Sequence, residues 1–494
     1  MTSFSRRAFV KGLAALPLTA ALPRIAHANT VWIRYDCACP EGLRMLEIYA
    51  QAVRQMEAMG PDNPLSWMWQ WYTHFVSGAT TKSAELTRIF GEADSPQKAL
   101  ANEVWNTCQS HAGQNSNHFL PWHRAFLYYF ERIVRQVTGV PDFALPYWDY
   151  TSSDPAKRGV VPPQFRMPDD PVFGSLYRAN RTTLANTGQP IHKNQTTDVM
   201  DISETMAKTH YSTVDSVMGF CRAVDSGIHG RIHVLVGNSK NMGAVPYAAN
   251  DPLFWLHHVN IDRMWASWNL AGNTNPTTAT WVNNQFTFVD ADGTRVRRPL
   301  KDFFSDVALG YTYDLYIPTA TTMAAKAAFA TRPGLRAERV ALSRAGAELD
   351  ARPVRALLEP LAGIRPVSVL GLDDRQPDKR AYLVLKNLHT WKQPEVLYHV
   401  YLAPGRGAGL GQARHVGTIH FFDAEFHDHG EHALDMALGD NFYSFDVTDA
   451  LRAFASDRGR ARLGQEALSV LFVPGGRPAP GGKPMVGTIE LVRQ

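Results

Sequence analysis

The sequence predicts a mainly α core, organised as a four-helix bundle, followed by an all-β sandwich domain. Three observations carry this reading. Long segments before residue 300 repeat apolar residues at helical spacing and hold most of the 12 tryptophans. Residues 318–350 are dominated by Ala, Thr and Arg, with few large apolar side chains, which reads as a linker. From about residue 366, short alternating segments recur between turns: "AYLVLKNL", "VLYHVYLA", "GTIHFF", "FYSFDV", "SVLFVPGG" and "VGTIELV". The expected division is a core over 29–317, a linker over 318–365 and a β-domain over 366–494.

The elements follow in order. "SRRAFVKG" (Ser5 to Gly12), an apolar stretch and the small-x-small site "AHA" (Ala26 to Ala28) read as a twin-arginine export signal over residues 1–28. Export implies a periplasmic or secreted protein. The apolar stretch is too short and broken for a membrane span. Residues 41–58 predict a helix with Leu43, Leu46, Ala50, Val53 and Met56 on one side. "DNPLSWMWQWYTHF" (Asp62 to Phe75) predicts a Pro-capped, aromatic-rich helix. "FLPWHRAFLYYFERIVRQV" (Phe119 to Val137) predicts a second long one. Residues 152–215, rich in Pro, Asn and Thr, read as loop with brief helices. Helical character returns over 216–237 and 252–270, and "YTYDLY" (Tyr311 to Tyr316) closes this half.

Bulk properties exclude some classes. The formal charge is +4 over 494 residues, and the basic residues are scattered rather than striped, which argues against nucleic acid. Four cysteines (Cys37, Cys39, Cys108, Cys221) are too few for a disulfide framework. Cys37 and Cys39 are too close for an unstrained mutual bridge, which leaves pairing of either with Cys221 open. Nothing sets the oligomeric state, and a homo-oligomer stays open.

The histidines carry the chemistry. "HGRIH" places His229 and His233 four residues apart, on one helical face with Cβ atoms roughly 6 Å apart, a good bite for one metal. His257 and His258 are adjacent and point about 100° apart on a helix, so they do different jobs. One completes a three-histidine set and the other hydrogen-bonds or packs behind it. Upstream, His123 and His74 lie on aromatic helices, with His111 and His118 in the connecting stretch. Taken singly, each of these reads better as a core histidine. Together, without Asp or Cys alternation, they suit copper, zinc, iron or nickel and not calcium or magnesium. A separate tract, "HFFDAEFHDHGEH" (His420 to His432), offers His427, His429 and His432 for an additional copper in the C-terminal domain, against the alternative of a solvated polar loop.

"DPLFWLHHVNID" (Asp251 to Asp262) resembles the second-copper signature of the tyrosinase and catechol oxidase family, and "FLPWHRAFLYYFE" most of its first-copper signature. "LPYWDY" and "YTYDLY" are similar to segments of the same cores, and "YSFDV" with "SVLFVPGG…VGTIEL" resembles the β-domain that follows the core in polyphenol oxidases. The resemblance implies a type-3 dicopper centre: two copper ions, one held by His229, His233 and His258, the other by His74, His123 and a third histidine. Where the family usually places that third ligand, this chain has Gln114 and Asn115. His111 is favoured over His118, because a short loop insertion is easier than moving a ligand onto the helix entry. Cys108 is the candidate for a thioether to a copper histidine; the alternative is a small buried thiol.

The implied activity is oxidation of phenolic small molecules by dioxygen, with the β-domain as a lid. Relatives proficient at hydroxylating monophenols hold a water with a glutamate and an asparagine. Here Asp225 stands at the glutamate position, as the expected catalytic base, and Gly230 at the asparagine position. His257, Val245 and Phe254 are expected to line or brace the pocket. The competing readings are a haemocyanin-like oxygen carrier and a zinc hydrolase. The second is disfavoured by the lack of an HExxH helix or carboxylate ligand.

Overall fold

A computed structural model describes residues 31–109, 117–318, 336–362, 379–425, 441–458 and 467–494. Three long helices frame the core. Pro40–Glu57 begins where the Cys39 sulfur accepts from the Gly42 N–H and Pro40 fills the first helical position. It buries Leu46, Tyr49, Ala50, Val53 and Met56, while Leu43, expected on that stripe, lies at its edge and is exposed. Phe119–Thr138 runs to Gly139, which takes the left-handed conformation (φ 69°) that ends helices cheaply. Leu253–Leu270 is buried along nearly its whole length. The last two are joined by Phe130 and Trp255, stacked with centroids 3.5 Å apart and planes 16° from parallel.

The aromatic helix is shorter than the sequence predicts. It spans Trp67–His74, because the Ser66 hydroxyl accepts from the Trp69 N–H and caps it there. Pro64 stays in the preceding turn, where its carbonyl accepts from Gln70. Two further helices, Lys82–Phe90 and Pro96–Val104, are capped by Thr81 and Ser95 and were not read from the sequence. The 216–237 stretch is divided: Phe220–Val224 and Gly230–Val236 are α-helical, and a π-helical turn over Asp225–His229 joins them, with Gly227 off helical dihedrals (φ −101°, ψ −114°).

"YTYDLY" is not helical. Its first residues form β4 (Tyr311–Tyr313), paired in parallel with β1 (Trp32–Arg34). Between them in sequence lies a hairpin of β2 (Gln285–Val289) and β3 (Arg295–Pro299). The β1–β4 pair is riveted to the helices by buried charges. Arg34 donates to Glu131 at 2.9 Å and to Asp262 at 2.9 Å; Tyr311 and Tyr313 each donate to Asp262 at 2.6 Å, and Arg124 reaches the same carboxylate. Burial raises the Asp262 carboxyl, but Arg124, Arg34 and the two tyrosines outweigh it and hold the group below its usual range. Asp262→Asn leaves two guanidiniums short of their partner and is expected to cost about 3–5 kcal/mol in denaturant unfolding. The pH sign follows. A depressed carboxyl contributes stability above its unfolded value of about 4 and loses it as pH falls through the folded value. The parent therefore weakens below about pH 4, and the variant shows a smaller further loss over the same window.

The C-terminal domain is a nine-stranded antiparallel sheet. Its strands are β5 (Glu338–Leu342), β6 (Ala347–Glu348), β7 (Val354–Pro360), β8 (Ala381–His389), β9 (Tyr398–Ala403), β10 (Arg414–Ile419), β11 (Phe442–Asp446), β12 (Leu468–Pro474) and β13 (Met485–Arg493). The path runs β10-β9-β12-β7-β5-β13-β8-β11, and the edge strands β10 and β11 lie against each other, so the sheet is nearly closed round its own apolar core. Residues 338–360, expected as linker, supply three of these strands; their inward face is made of small or few apolar groups (Ala341, Ala356, Leu358), which hides them in composition. Val217, Met218 and Ala223 of the core pack on Tyr382, Val384, Phe442 and Val492, and the Met218 N–H donates to Ser444 at 2.8 Å. Among the described residues no helix is long and apolar enough to cross a membrane, and no disulfide forms: Cys37, Cys39, Cys108 and Cys221 are free thiols.

Candidate metal centre

The Leu253–Leu270 helix faces Gly230–Val236, and four imidazoles meet between them. Ligand atoms of His229, His233, His257 and His258 all lie within 4.8 Å of one another, and all four side chains are buried. Burial first, then the neighbouring imidazoles, pushes His233, His257 and His258 well below the usual histidine range. They are neutral at pH 7, the form that offers a lone pair to a metal. A second group joins His74 of the Trp67–His74 helix and His123 of the Phe119–Thr138 helix with Cys108 of the loop after Pro96–Val104, again within 4.8 Å. Burial, then His229, lowers His123 to about 3. The groups adjoin, since the His123 and His258 rings stack with centroids 4.4 Å apart and planes 13° from parallel.

Most of these rings are aimed from behind. His123 Nδ1 lies 2.8 Å from the Phe119 carbonyl, His233 Nδ1 2.7 Å from that of Met242, and His229 Nδ1 3.3 Å from that of Asp225. A proton held on Nδ1 leaves Nε2 as the free base, and the Nε2 atoms of His229 and His233 approach to 3.0 Å. His257 Nδ1 lies 3.0 Å from the Tyr150 hydroxyl. Nδ1 of His74, Nε2 of His257 and both nitrogens of His258 are buried without a hydrogen-bond partner. Orphaned buried nitrogens are costly, and neutral imidazole is a ligand copper takes readily, so the donor set fits a copper pair.

The remaining predicted residues fall as follows. Phe254 packs on His258 at 4.1 Å and on His74 at 5.0 Å between centroids. Val245 is half-buried at the start of a short helix beside the core. Asp225 is fully buried, with Oδ1 2.9 Å from His229 Nδ1. The Cys108 sulfur lies 3.7 Å from His123 Nε2. His118 stands apart from both groups, its ring against Trp281 and Phe286 at 5.6 and 5.4 Å. His111, His427, His429 and His432, and the export segment, lie outside the described residues.

Sequence reasoning missed three participants from the β-domain and one from the core. Phe422, in the loop after β10, stacks flat on His233 (4.0 Å, 11°) and edge-on to His229 (5.6 Å, 82°). His420 and Asp423 flank it, and burial, then Asp225, pushes the Asp423 carboxyl up to about 7. In "HFFDAEF" the histidines stand out first, although two adjacent aromatics between strands of a domain expected to act as a lid are a usable sign. Tyr150, which braces His257, sits in the "LPYWDY" segment.

A helical core carrying two adjoining histidine-rich groups, with a β-domain seated on one of them, defines a dinuclear metal protein. Residues 64–271 match the family model "Common central domain of tyrosinase". Tyrosinase HcTyr1 of Hahella sp. (strain CCB-MM4) is 30% identical over 369 residues, covering 69% of this chain and 75% of that one. A chloroplastic polyphenol oxidase of Malus domestica is 27% identical over 328 residues, covering 61% of this chain but only 50% of that protein. Among solved structures, latent apple tyrosinase aligns over 97% of this chain and 99% of its own (TM-score 0.57, 18% identity), and latent aurone synthase over 94% and 89% (TM-score 0.61, 18% identity). At those identities the structures speak for the fold, β-domain included. The chain belongs to the tyrosinase family.

Proposed function

We propose that the protein oxidises o-diphenols to o-quinones with dioxygen, and hydroxylates monophenols more slowly, at a pair of copper ions. It is an oxidoreductase acting on phenols, in keeping with its family. The observation that carries the reading is the pair of adjoining histidine groups joined through the His123–His258 stack. His229, His233 and His258 would hold one copper; His74, His123 and His111 the other. When bound, the pair supplies two-electron redox chemistry with dioxygen. The protein's part is to keep His74, His123, His233 and His258 neutral by burial, to fix the outward nitrogens of His123, His229 and His233 on the carbonyls of Phe119, Asp225 and Met242, and to wall the pocket with Phe254. The paired arginines and cleavage motif of residues 5–28 support export by the twin-arginine route.

Monophenols also need a proton removed beside the metal, which is work for a general base. Asp225 is our candidate. Its Oδ1 stands 2.9 Å from Nδ1 of His229, and Gly230 brings no side chain to hold a water against it, so the base is poorly placed for an incoming phenol. Copper per chain, measured with turnover of a catechol and of the matching monophenol, tests the whole reading. Two coppers with diphenol turnover clearly ahead of monophenol turnover is the expected result. Dioxygen binding without catechol turnover would favour a carrier instead. Asp225→Asn is expected to lower the monophenol-to-diphenol ratio by on the order of tenfold or more. An equal fall in both activities would leave Asp225 as a support for His229 alone.

A further inference from the structure

We propose that Gly230 is a socket for His420, and that this contact seats the β-domain over the metal pocket. The inference deepens the reading above by naming what regulates that site. Gly230 has ordinary helical dihedrals (φ −67°, ψ −29°), so its backbone does not call for glycine. Alanine would be the better helix former. What forbids a side chain is the β-domain. A Cβ on Gly230 would stand 2.0 Å from His420 Cε1, 2.1 Å from Nε2 and 2.7 Å from Nδ1. The histidine ring therefore lies flush on the glycine, immediately after His229.

The ring has nowhere to retreat. His420 is 1% exposed, and its main chain is clamped by one tyrosine: its N–H donates to the Tyr443 hydroxyl at 3.2 Å, and that hydroxyl donates to its carbonyl at 3.1 Å. The Phe422 N–H donates to His420 Nδ1 at 3.3 Å, which couples the ring to the aromatic lying on His233. Gln393 holds the same loop through the carbonyls of Phe421 and Phe422, at 3.0 and 2.9 Å. A packed interior does not yield 1 Å without cost. Any side chain at 230 must push out His420, and Phe422 leaves with it.

The position thus couples substrate choice to closure. An asparagine at 230, which would help to hold a water beside Asp225, cannot coexist with a seated His420. Its effect on hydroxylation is open to expression only when the β-domain is away.

Small-angle scattering of the full-length, copper-loaded chain tests this, with catechol turnover of the same uncut sample. The parent is expected to be compact. Gly230→Ala is expected to increase the radius of gyration and raise turnover several-fold. His420→Trp, which enlarges the contact from the other side and leaves the core sequence intact, should do the same. Gly230→Ala combined with His420→Gly restores the space and should return the chain to the parent's size and slow turnover. That return also shows that Gly230→Ala folds. A Gly230→Ala chain as compact and as slow as the parent overturns the proposal. A chain that opens with copper bound yet shows no catechol turnover upholds the socket and instead sinks the proposed function.

Discussion

His258→Ala is expected to abolish catechol oxidation and to leave no more than one copper per chain. His229→Ala and His233→Ala should empty the same site, and His123→Ala the other. The structure sharpens the comparison with His257, because four imidazoles meet where three are needed. His257 is tied by its outer nitrogen to Tyr150. His258 has both nitrogens unpartnered and its ring stacked on His123. A ring that touches both groups and has nothing else to bind is the better ligand. His257→Ala should therefore keep part of its copper, and Tyr150→Phe should cost at most about tenfold to a hundredfold in metal affinity, the usual range for a group supporting a metal site. Metal analysis after dialysis against a chelator reads all of these. If His257→Ala empties the site while His258→Ala retains metal, the two roles are exchanged.

A clean cut within residues 319–335, followed by removal of the β-domain, is expected to raise turnover of bulky phenols on the order of tenfold or more. Phe422 occupies the face of His233 and the edge of His229, so substrate and this ring compete for one place. A pocket that is open only a fraction of the time loses apparent affinity by that fraction, and a closed state favoured by about 1.4 kcal/mol already costs tenfold. Phe422→Ala should recover part of the gain in the uncut chain, since His420 still sits against Gly230. Small phenols gain less, because a modest opening admits them. Unchanged kinetics after clean removal would rule out the lid.

Much of this was legible in the sequence. The helices over 40–57 and 119–138 carry apolar periodicity, and 253–270 is an apolar run of helix length buried on all sides, so all three announce themselves. His229 and His233 were placed on one face by spacing alone, and the structure keeps them together although a π-helical turn precedes the helix. Other features could not be read locally. The strands over 338–360 look like linker because Ala and Arg dominate them, and only their partners β12 and β13 make them strands. "YTYDLY" pairs with Trp32–Arg34, some 280 residues upstream, and no local window contains such a pairing. Phe422 reads as an ordinary core aromatic until the fold lays it on His233.

The strand that opens the described chain and the strand that ends the core lie side by side. Arg34 on one and Tyr311 and Tyr313 on the other share the carboxylate of Asp262. The catalytic half is therefore buckled shut by its own two ends, and none of these four residues comes from the β-domain. A cut on the C-terminal side of β4 leaves Arg34, Tyr311, Tyr313 and Asp262 on one fragment, with the buckle fastened. The core is therefore expected to keep its own unfolding transition when the β-domain is cut away.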